Sequence, residues 1–359
     1  MTKKKPQVDL FKAAKQSAFY IFLTGLIVAM LLPVFFIVSL SFLSTREAYL
    51  FPLPLVPALT SKFELTTGER GYLLSVYDRT DKEYHTVLDT NELEKMEVYF
   101  KSQLGTTVTI PEIEEQIAKL DTQEVVRFSK RKNLFSNYTT FFQVTRDAVP
   151  ALIRSLEICA LTILISLSIG GMAGYAFARY VFKGRNALKF SVLFVRMFPG
   201  VAIALPMVII LANTSVFGRT LYDEPLGLSL VYSIGSIGLT VWITASIFLG
   251  IPRSLEEAAL VFGATKFQAF MRITLPLALP GLAAAAMYSF LGAWNETVSA
   301  IILTQFKPTF AVVVYQTLVG ATGQVNLAAA GGMAMALPAI IFTFFIRKYI
   351  NQMWGGITV

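Results

Sequence analysis

The stretch SLEEAALVFGATKFQAFMRITLPLALPG, residues Ser254 to Gly281, decides how the rest of the chain is read. The residues on either side are written for lipid, yet here the apolar text pauses and resumes only through Pro276 and Pro280. Glu256 and Glu257 fit the first turn of a helix, where acidic side chains complement the positive end of the dipole. Ala258 and Ala259 favour helix and leave a surface that another chain can approach closely. Gly263 is placed to break that helix, because glycine alone enters left-handed backbone without strain. Thr265 to Arg272 then resumes a helix into the next apolar run. The spacing predicts a short helix, a turn and a second helix, held at a membrane face.

Working outward, 55% of the 359 residues are apolar and only 15% are charged, a composition outside the range of soluble globular domains. A helix needs about 20 apolar residues to cross a hydrocarbon core of about 30 Å. Charge-free intervals of 30, 21 and 22 residues lie between Lys15 and Arg46, Glu157 and Arg179, and Arg196 and Arg219. Further apolar stretches run from Pro225 to Pro252, from Ile273 to Asn295, and from Leu327 to Ile346, giving six expected spans. The first, at 27 residues and without a small-residue exit, is too long for a cleaved signal core and reads as an anchor.

The formal net charge of +8 follows topology rather than nucleic acid. With the amino terminus inside, Lys12, Lys15, Arg179, Lys183, Arg185, Lys189, Arg253, Lys266, Arg272, Arg347 and Lys348 all fall on the cytoplasmic side. The short outer loops then hold only Arg219 and Lys307. That is the positive-inside bias, and it puts both termini in the cytoplasm. Residues 46–147 stand apart, with 13 basic and 16 acidic side chains. They read as a soluble extracytoplasmic α+β insert between residues 1–45, the amino terminus with span one, and residues 148–359, the five-helix remainder. Inside it, YLLSVYD and YHTVL have strand character. Leu93, Met96, Phe100 and Leu104 recur at helical spacing after a capping-type start at Asp89–Glu92. TTVTI predicts a strand, and Pro111 with Glu112, Glu114 and Glu115 a following helix. Binding-protein docking or stabilisation of a complex is the expected role of this insert.

Small residues at four-residue spacing, Ser166, Gly170, Gly174 and Ala178, then Gly281, Ala285, Ser289 and Ala293, mark helix faces that approach closely in lipid. Catalytic patterns are missing: there is no Gly-Lys pair for a phosphate loop, and one histidine with one cysteine cannot build a zinc site. No catalytic residue, metal or cofactor is expected on this chain. Arg196, ahead of Pro199, and Glu296, after Asn295, are charges near membrane depth, where an ionisable side chain faces protein or water and marks a possible translocation path. A stand-alone secondary transporter or channel is the alternative from another class, and a sensor anchored by its spans a third.

Glu257-Ala258-Ala259, Gly263-Ala264, Phe270, Ile273, Leu275-Pro276 and Pro280 resemble, at unbroken spacing, the EAA loop of the membrane subunits of ABC importers, here at residues 253–280. Phe262 stands where that family usually has aspartate. FPGVAIALP, FLGAWNE and the closing RKYINQMWGGITV resemble the carbohydrate-importer permeases of the MalG-like kind. The resemblance covers residues 134–359 well and 1–45 loosely. It implies an all-α polytopic membrane protein, six transmembrane helices in the type I ABC importer (MetI-like) fold, carrying the insert between helices one and two. It also implies partners: a second, MalF-like permease subunit, two ATPase subunits that carry ATP and magnesium, an extracytoplasmic solute-binding protein, and membrane lipid. Glu257, Ala258, Ala259, Gly263, Ala264 and Phe270 would form the ATPase-subunit interface. The outer loop with Gln305, Thr322, Gln324 and Asn326 would contact the binding protein. Sugars or oligosaccharides are the implied solutes, with glycerol phosphate or a polyol as the alternative.

Overall fold

The computed structural model describes residues 10–145, 147–320 and 323–355. Two compact units divide it, one made of Met1–Phe141 with Gly323–Met333 and one of Phe142–Thr322 with Ala334–Val359.

The first unit begins with α1 (Leu10–Phe42), whose apolar side chains from Phe19 to Ile37 are exposed along the helix. A four-stranded antiparallel sheet follows, in the order β3-β2-β1-β4, from β1 (Thr60–Thr67), β2 (Tyr72–Tyr77), β3 (Tyr84–Thr90) and β4 (Val125–Arg131). Phe63 and Leu65 of β1 face Val76 and Leu74 on one side and Phe128 and Val126 on the other, so one face of the sheet is apolar. Met96 and Phe100 of α2 (Leu93–Ser102) and Ile113 of α3 (Ile110–Leu120) close that face into a core.

Two local expectations change. TTVTI is not a strand: Thr106 forms one isolated bridge with Lys132, and the chain enters α3 at Ile110. The Thr109 N–H donates to Glu112 Oε2 at 3.2 Å and Pro111 sits in the first turn, so helix-start chemistry wins over β propensity. At α2 the capping residue is Glu92, whose side chain closes no cap, while Thr90 remains in β3 and accepts the Glu92 N–H at 3.1 Å. The end of α1 is closed by Asn137 of α4 (Ser136–Val144), whose amide donates to the carbonyls of Ser41 and Leu43 at 2.8 and 2.7 Å. A helix terminus leaves such carbonyls without partners, and a buried amide satisfies them.

The second unit is a helical bundle. A span of 32 residues, Ala148–Arg179, consists of α5 (Ala148–Ile165), a π turn at Ser166–Gly170 and α6 (Gly171–Arg179). It packs on α9 (Pro225–Gly250), as does Lys266–Trp294, which comprises α11 (Lys266–Ala269), a second π turn and α12 (Leu275–Trp294). Counting α1 and α15 (Val325–Gly355), five helices among the described residues are long and apolar enough to cross a membrane. The third expected span, between Arg196 and Arg219, is not one straight helix. α7 (Arg185–Phe194), with the 3-10 turn that ends at Met197, meets α8 (Gly200–Asn213) at an 89° bend. Pro199 sits at the corner: it has no N–H to continue the ladder, and it holds Phe198 in extended backbone at ψ 131°.

The glycine stripes lie at helix contacts. A Cβ on Gly170 would stand 2.8 Å from Thr240, and one on Gly174 only 2.0 Å from Thr244 Oγ1. Thr244 sends its hydroxyl to the carbonyls of Thr240 and Gly170, at 2.7 and 3.2 Å, so the contact is polar as well as close. The second stripe is equally inward, since Gly281, Ala285, Ser289 and Ala293 are all buried. Cys159 is buried and apolar in its surroundings. Replacing Gly174 by Val is expected to force α6 from α9 and destabilise the chain by about 1 to 3 kcal/mol. Gly171→Ala, whose Cβ meets nothing within 4 Å, should leave the thermal midpoint of the purified protein unchanged.

Candidate coupling face and translocation site

The polar stretch that opened the sequence folds as α10 (Arg253–Val261), a glycine turn and α11. Gly263 has φ +84°, the left-handed value that stops α10, and its N–H and that of Ala264 close on the carbonyls of Leu260 and Ala259 at 3.0 Å each. Thr265 and Gln268 then start α11 with a reciprocal cap, Gln268 N–H to Thr265 Oγ1 at 3.2 Å and Thr265 N–H to Gln268 Oε1 at 2.9 Å.

The first of the two acids is the anchor. Glu256 accepts from Arg179 Nε at 2.9 Å, from the Tyr175 hydroxyl at 3.1 Å and from Thr274 Oγ1 at 2.6 Å. Arg179 Nη2 lies 2.7 Å from the same carboxylate, and the paired side chains are 7% and 15% exposed. Arg179 also donates to the Ile251 carbonyl at 3.1 Å, and Arg253 returns the favour to the carbonyls of Ala178 and Arg179 at 3.1 and 2.9 Å. The ends of α6 and α9, the whole of α10 and the start of α12 therefore converge on one carboxylate. Burial pushes the Glu256 carboxyl up, but the hydrogen bonds from Thr274, Arg179 and Tyr175 outweigh it and hold the acid below its ordinary value.

Glu257, one residue on and about 100° round the helix, is exposed and leaves the cluster, with Ala258 exposed beside it. Val261, Phe262 and Phe267 are 85%, 90% and 71% exposed, an apolar rim around the glycine turn. The groove between α6, α10 and α11 has a volume of about 520 Å³ and takes in Tyr175, Arg179, Glu256, Glu257 and Phe267. Phe270, expected on the ATPase interface, also lines this groove, while its ring sits 4.7 Å from that of Tyr175 and packs against the core around Phe248 and Ala278.

A second cavity, of about 210 Å³, opens at the bend between α7 and α8. Arg196 and Glu296 both line it, with Phe198, Tyr232, Tyr288 and Ser299. The Arg196 guanidinium lies 4.9 Å from the Tyr288 ring centre, and Glu296 accepts the Ser299 N–H at 2.8 Å at the start of α13 (Val298–Leu303). The Tyr232 and Ser289 hydroxyls are buried without a protein partner. Pro199 makes the corner, accepting the Ala202 N–H at 2.9 Å, and Asn295 is an exposed helix end; neither is in the cavity wall. Tyr232, Ser236 and Tyr288 escaped the sequence reading. The signal for the two on α9 was a run of hydroxyl residues, Ser229, Ser233, Ser236, Thr240 and Thr244, in an apolar helix; Tyr288, on α12, had none.

Of the outer-loop residues, Gln305 is exposed and its backbone is pinned: the N–H groups of Gln305, Phe306 and Lys307 all donate to the Asp223 carboxylate, at 3.3, 2.9 and 3.2 Å. Phe306 projects, 78% exposed. Asn326, expected on the contact surface of this loop, is not exposed. It is fully buried in the first unit, its amide donating to Asn137 Oδ1 at 2.9 Å and Thr45 Oγ1 at 3.2 Å. Gln324 is half-buried, and Thr322 lies outside the described residues.

Residues 166–354 match the family described as binding-protein-dependent transport system inner membrane component. The trehalose transport system permease protein SugB of Mycobacterium tuberculosis is 34% identical over 223 residues, 60% of this chain and 78% of that protein. The maltodextrin transport system permease protein MalD of Streptococcus pneumoniae is 30% identical over 248 residues, 66% of this chain and 82% of that protein. In fold, the chain is similar to one in the crystal structure of a bacterial alginate ABC transporter in complex with alginate pentasaccharide-bound periplasmic protein. The TM-score is 0.50 at 19% identity, covering 73% of this chain and 93% of that one. The matched region begins after the insert and takes in both the α10–α11 element and the cavity at Arg196, and the chain belongs to the family of binding-protein-dependent transport system inner membrane components.

Proposed function

We propose that this chain is one of two permease subunits of an ATP-driven importer of sugars or oligosaccharides, with both termini in the cytoplasm. ATP hydrolysis belongs to two partner subunits that dock on α10 and the glycine turn, and a solute-binding protein delivers the solute from outside. The observation that carries the reading is the clamp of Arg179, Tyr175 and Thr274 on Glu256. It joins a short cytoplasmic helix to two membrane spans, so a push on the helix is a push on the spans. Glu257, Ala258 and the apolar rim at Phe262 remain free for the partner, which suits close, partly charged docking. The cavity at the α7–α8 bend, with Arg196, Glu296 and the four tyrosine or serine residues Tyr232, Ser236, Tyr288 and Ser299, suits a polyhydroxyl solute that needs hydrogen bonds inside the membrane. The sugar class is supported by the trehalose and maltodextrin permeases among its relatives.

ATP-dependent uptake by the co-purified complex in proteoliposomes tests the reading; uptake by this chain alone, without ATP, would overturn it. The two acids should separate in the same assay. Glu257→Arg is expected to release the ATPase subunits. Glu256→Gln is expected to keep them bound but lower solute transported per ATP about tenfold, because a buried arginine loses its counter-charge. The double variant Arg179→Gln with Glu256→Gln should be no worse than the single change, since the two residues act as a unit.

The pH dependence has a definite sign. A carboxyl held below its ordinary value in the folded protein contributes stability above that ordinary value, and loses it as pH falls through the lowered one. Amide exchange across Arg253–Val261 should therefore stay slow through the ordinary carboxylate range and quicken only below it. In Glu256→Gln this acid step should vanish.

A further inference from the structure

The apolar run of α1 from Gln16 to Phe42 rises about 40 Å at 1.5 Å per residue, which matches hydrocarbon core plus both headgroup layers at about 40 to 45 Å. The last turn of α1, Ser39 to Phe42, consequently lies in the headgroup layer on the side away from Lys12 and Lys15. The chain that leaves this turn comes back to it. Residues Leu50 to Leu59 form a strap with prolines at positions 52, 54 and 57, and the Ser39 hydroxyl donates to the Leu55 carbonyl. Leu53 packs with Leu40 and Leu43 of α1. Yet Phe51, Val56 and Leu59 are 99%, 70% and 63% exposed, an apolar surface held at headgroup depth.

Behind the same strap is a cavity of about 170 Å³, walled by Leu50, Pro54 and Val56 on one side and by Arg46, Lys62 and Arg79 on the other. Arg46 Nη1 is buried with no hydrogen-bond partner. Among the described residues none of the three cations has an ion pair; Lys62 lies 5.3 Å from the Tyr77 ring centre. The acids in the wall are committed elsewhere. Glu47 accepts from the Ser44 N–H and hydroxyl at 2.8 and 2.9 Å and pairs with Lys132, and Asp78 accepts the Thr80 N–H at 2.8 Å. Burial pushes the neighbouring Lys132 ammonium down, Glu47 partly restores it, and the Arg79 charge adds to the lowering. The local field is positive, and a buried guanidinium N–H without an acceptor is a costly arrangement.

We infer that this cavity receives the phosphate of an anionic glycerophospholipid headgroup, held by Arg46, Lys62 and Arg79 while Phe51, Val56 and Leu59 seat among the acyl-chain ends. Arginine forks suit phosphate oxygens, and aromatic and aliphatic side chains suit the interfacial layer. The inference rests on α1 as a membrane span and not on the import reading, so it stands or falls separately from it.

Native mass spectrometry of the full chain, co-purified with its partner subunits and titrated with phosphatidylglycerol, tests it. Arg46→Gln and, should that variant fold poorly, the exposed Arg79→Gln are each expected to weaken phosphatidylglycerol binding about tenfold, the worth of a charge-assisted hydrogen bond. Phe51→Ser with Val56→Ser, which removes only exposed side chains, should weaken the lipid and leave free glycerol phosphate unaffected. Free glycerol phosphate displacing the lipid one for one, with the strap variant unchanged, would make this a soluble-phosphate site and overturn the inference. Equal lipid binding by all variants would leave a water-filled cavity, and loss of a partner subunit with lipid binding intact would make the strap a protein interface; both overturn it.

Discussion

The arrangement of the second unit depends on one buried ion pair, Arg179 with Glu256, because it sits where several helix ends run out of partners. The carboxylate of Glu256 is filled by donors from α6 and from the turn ahead of α12, and Arg179 and Arg253 in turn satisfy carbonyls at the ends of α9 and α6. Removing one member of such a pair leaves an unpaired charge out of water, a loss of about 3 to 5 kcal/mol. An apolar replacement of the whole cluster could match it for stability. It could not match the geometry, because only directional bonds fix α10 at one angle to two spans. The coupling role proposed for α10 requires such a fixed angle, because a greasy contact between short helices slides.

Above that clamp the bundle holds together by closeness rather than by greasiness. In lipid, apolar side chains gain nothing from leaving one hydrocarbon for another, so helices adhere where backbones touch. Gly170 and Gly174 bring α6 so near to α9 that Thr244 can reach the Gly170 carbonyl. The same logic explains the interruptions. The π turns at Ser166–Gly170 and Phe270–Thr274 free backbone groups that protein must satisfy, and both sit in contact with other helices, where hydroxyl groups from Thr240, Thr244 and Thr274 are buried. The bend at Pro199 is tolerated for a related reason: it opens onto a polar cavity instead of onto lipid.

Much of this was legible in the residues, and the places where legibility failed are instructive. Spans, stripes and the helix–glycine–helix element could be read because each is a local pattern: length of apolar run, small residues every four, φ-positive glycine between two caps. The roles within the EAA stretch could not be read from pattern alone. Glu256 and Glu257 are chemically identical neighbours, and only the rotation of α10 against Arg179 makes one an anchor and leaves the other exposed. The burial of Asn326 was hidden for the same cause, since a residue on a helix near a loop faces in or out according to tertiary packing. In the insert, β1 and β4 were missed because Thr60-Ser61-Lys62 and Arg127-Phe128-Ser129-Lys130 look like loop composition, and the alternation of Phe63 with Leu65 and of Val126 with Phe128 is only two residues deep on each strand.

The opposite end of the bundle follows the same design. Asp223, at φ +61° and nearly buried, gathers three consecutive backbone N–H groups from Gln305, Phe306 and Lys307, while Lys307 pairs with Glu224 and Arg154 holds the Pro308 carbonyl at 2.8 Å. A loop bound through its backbone can present its side chains without being shaped by them, which is why Phe306 stands free on a fixed base. At both ends of the unit, then, a carboxylate takes several donors from elements far apart in sequence and turns a polar loop into a rigid extension of the spans. The two carboxylates do opposite work on the side chains they leave out. Glu256 locks a helix and leaves an acid and an apolar rim exposed, whereas Asp223 locks a loop and leaves an aromatic exposed. A membrane bundle that must move as a body needs its protrusions fixed in this way, because lipid supplies no force to hold them.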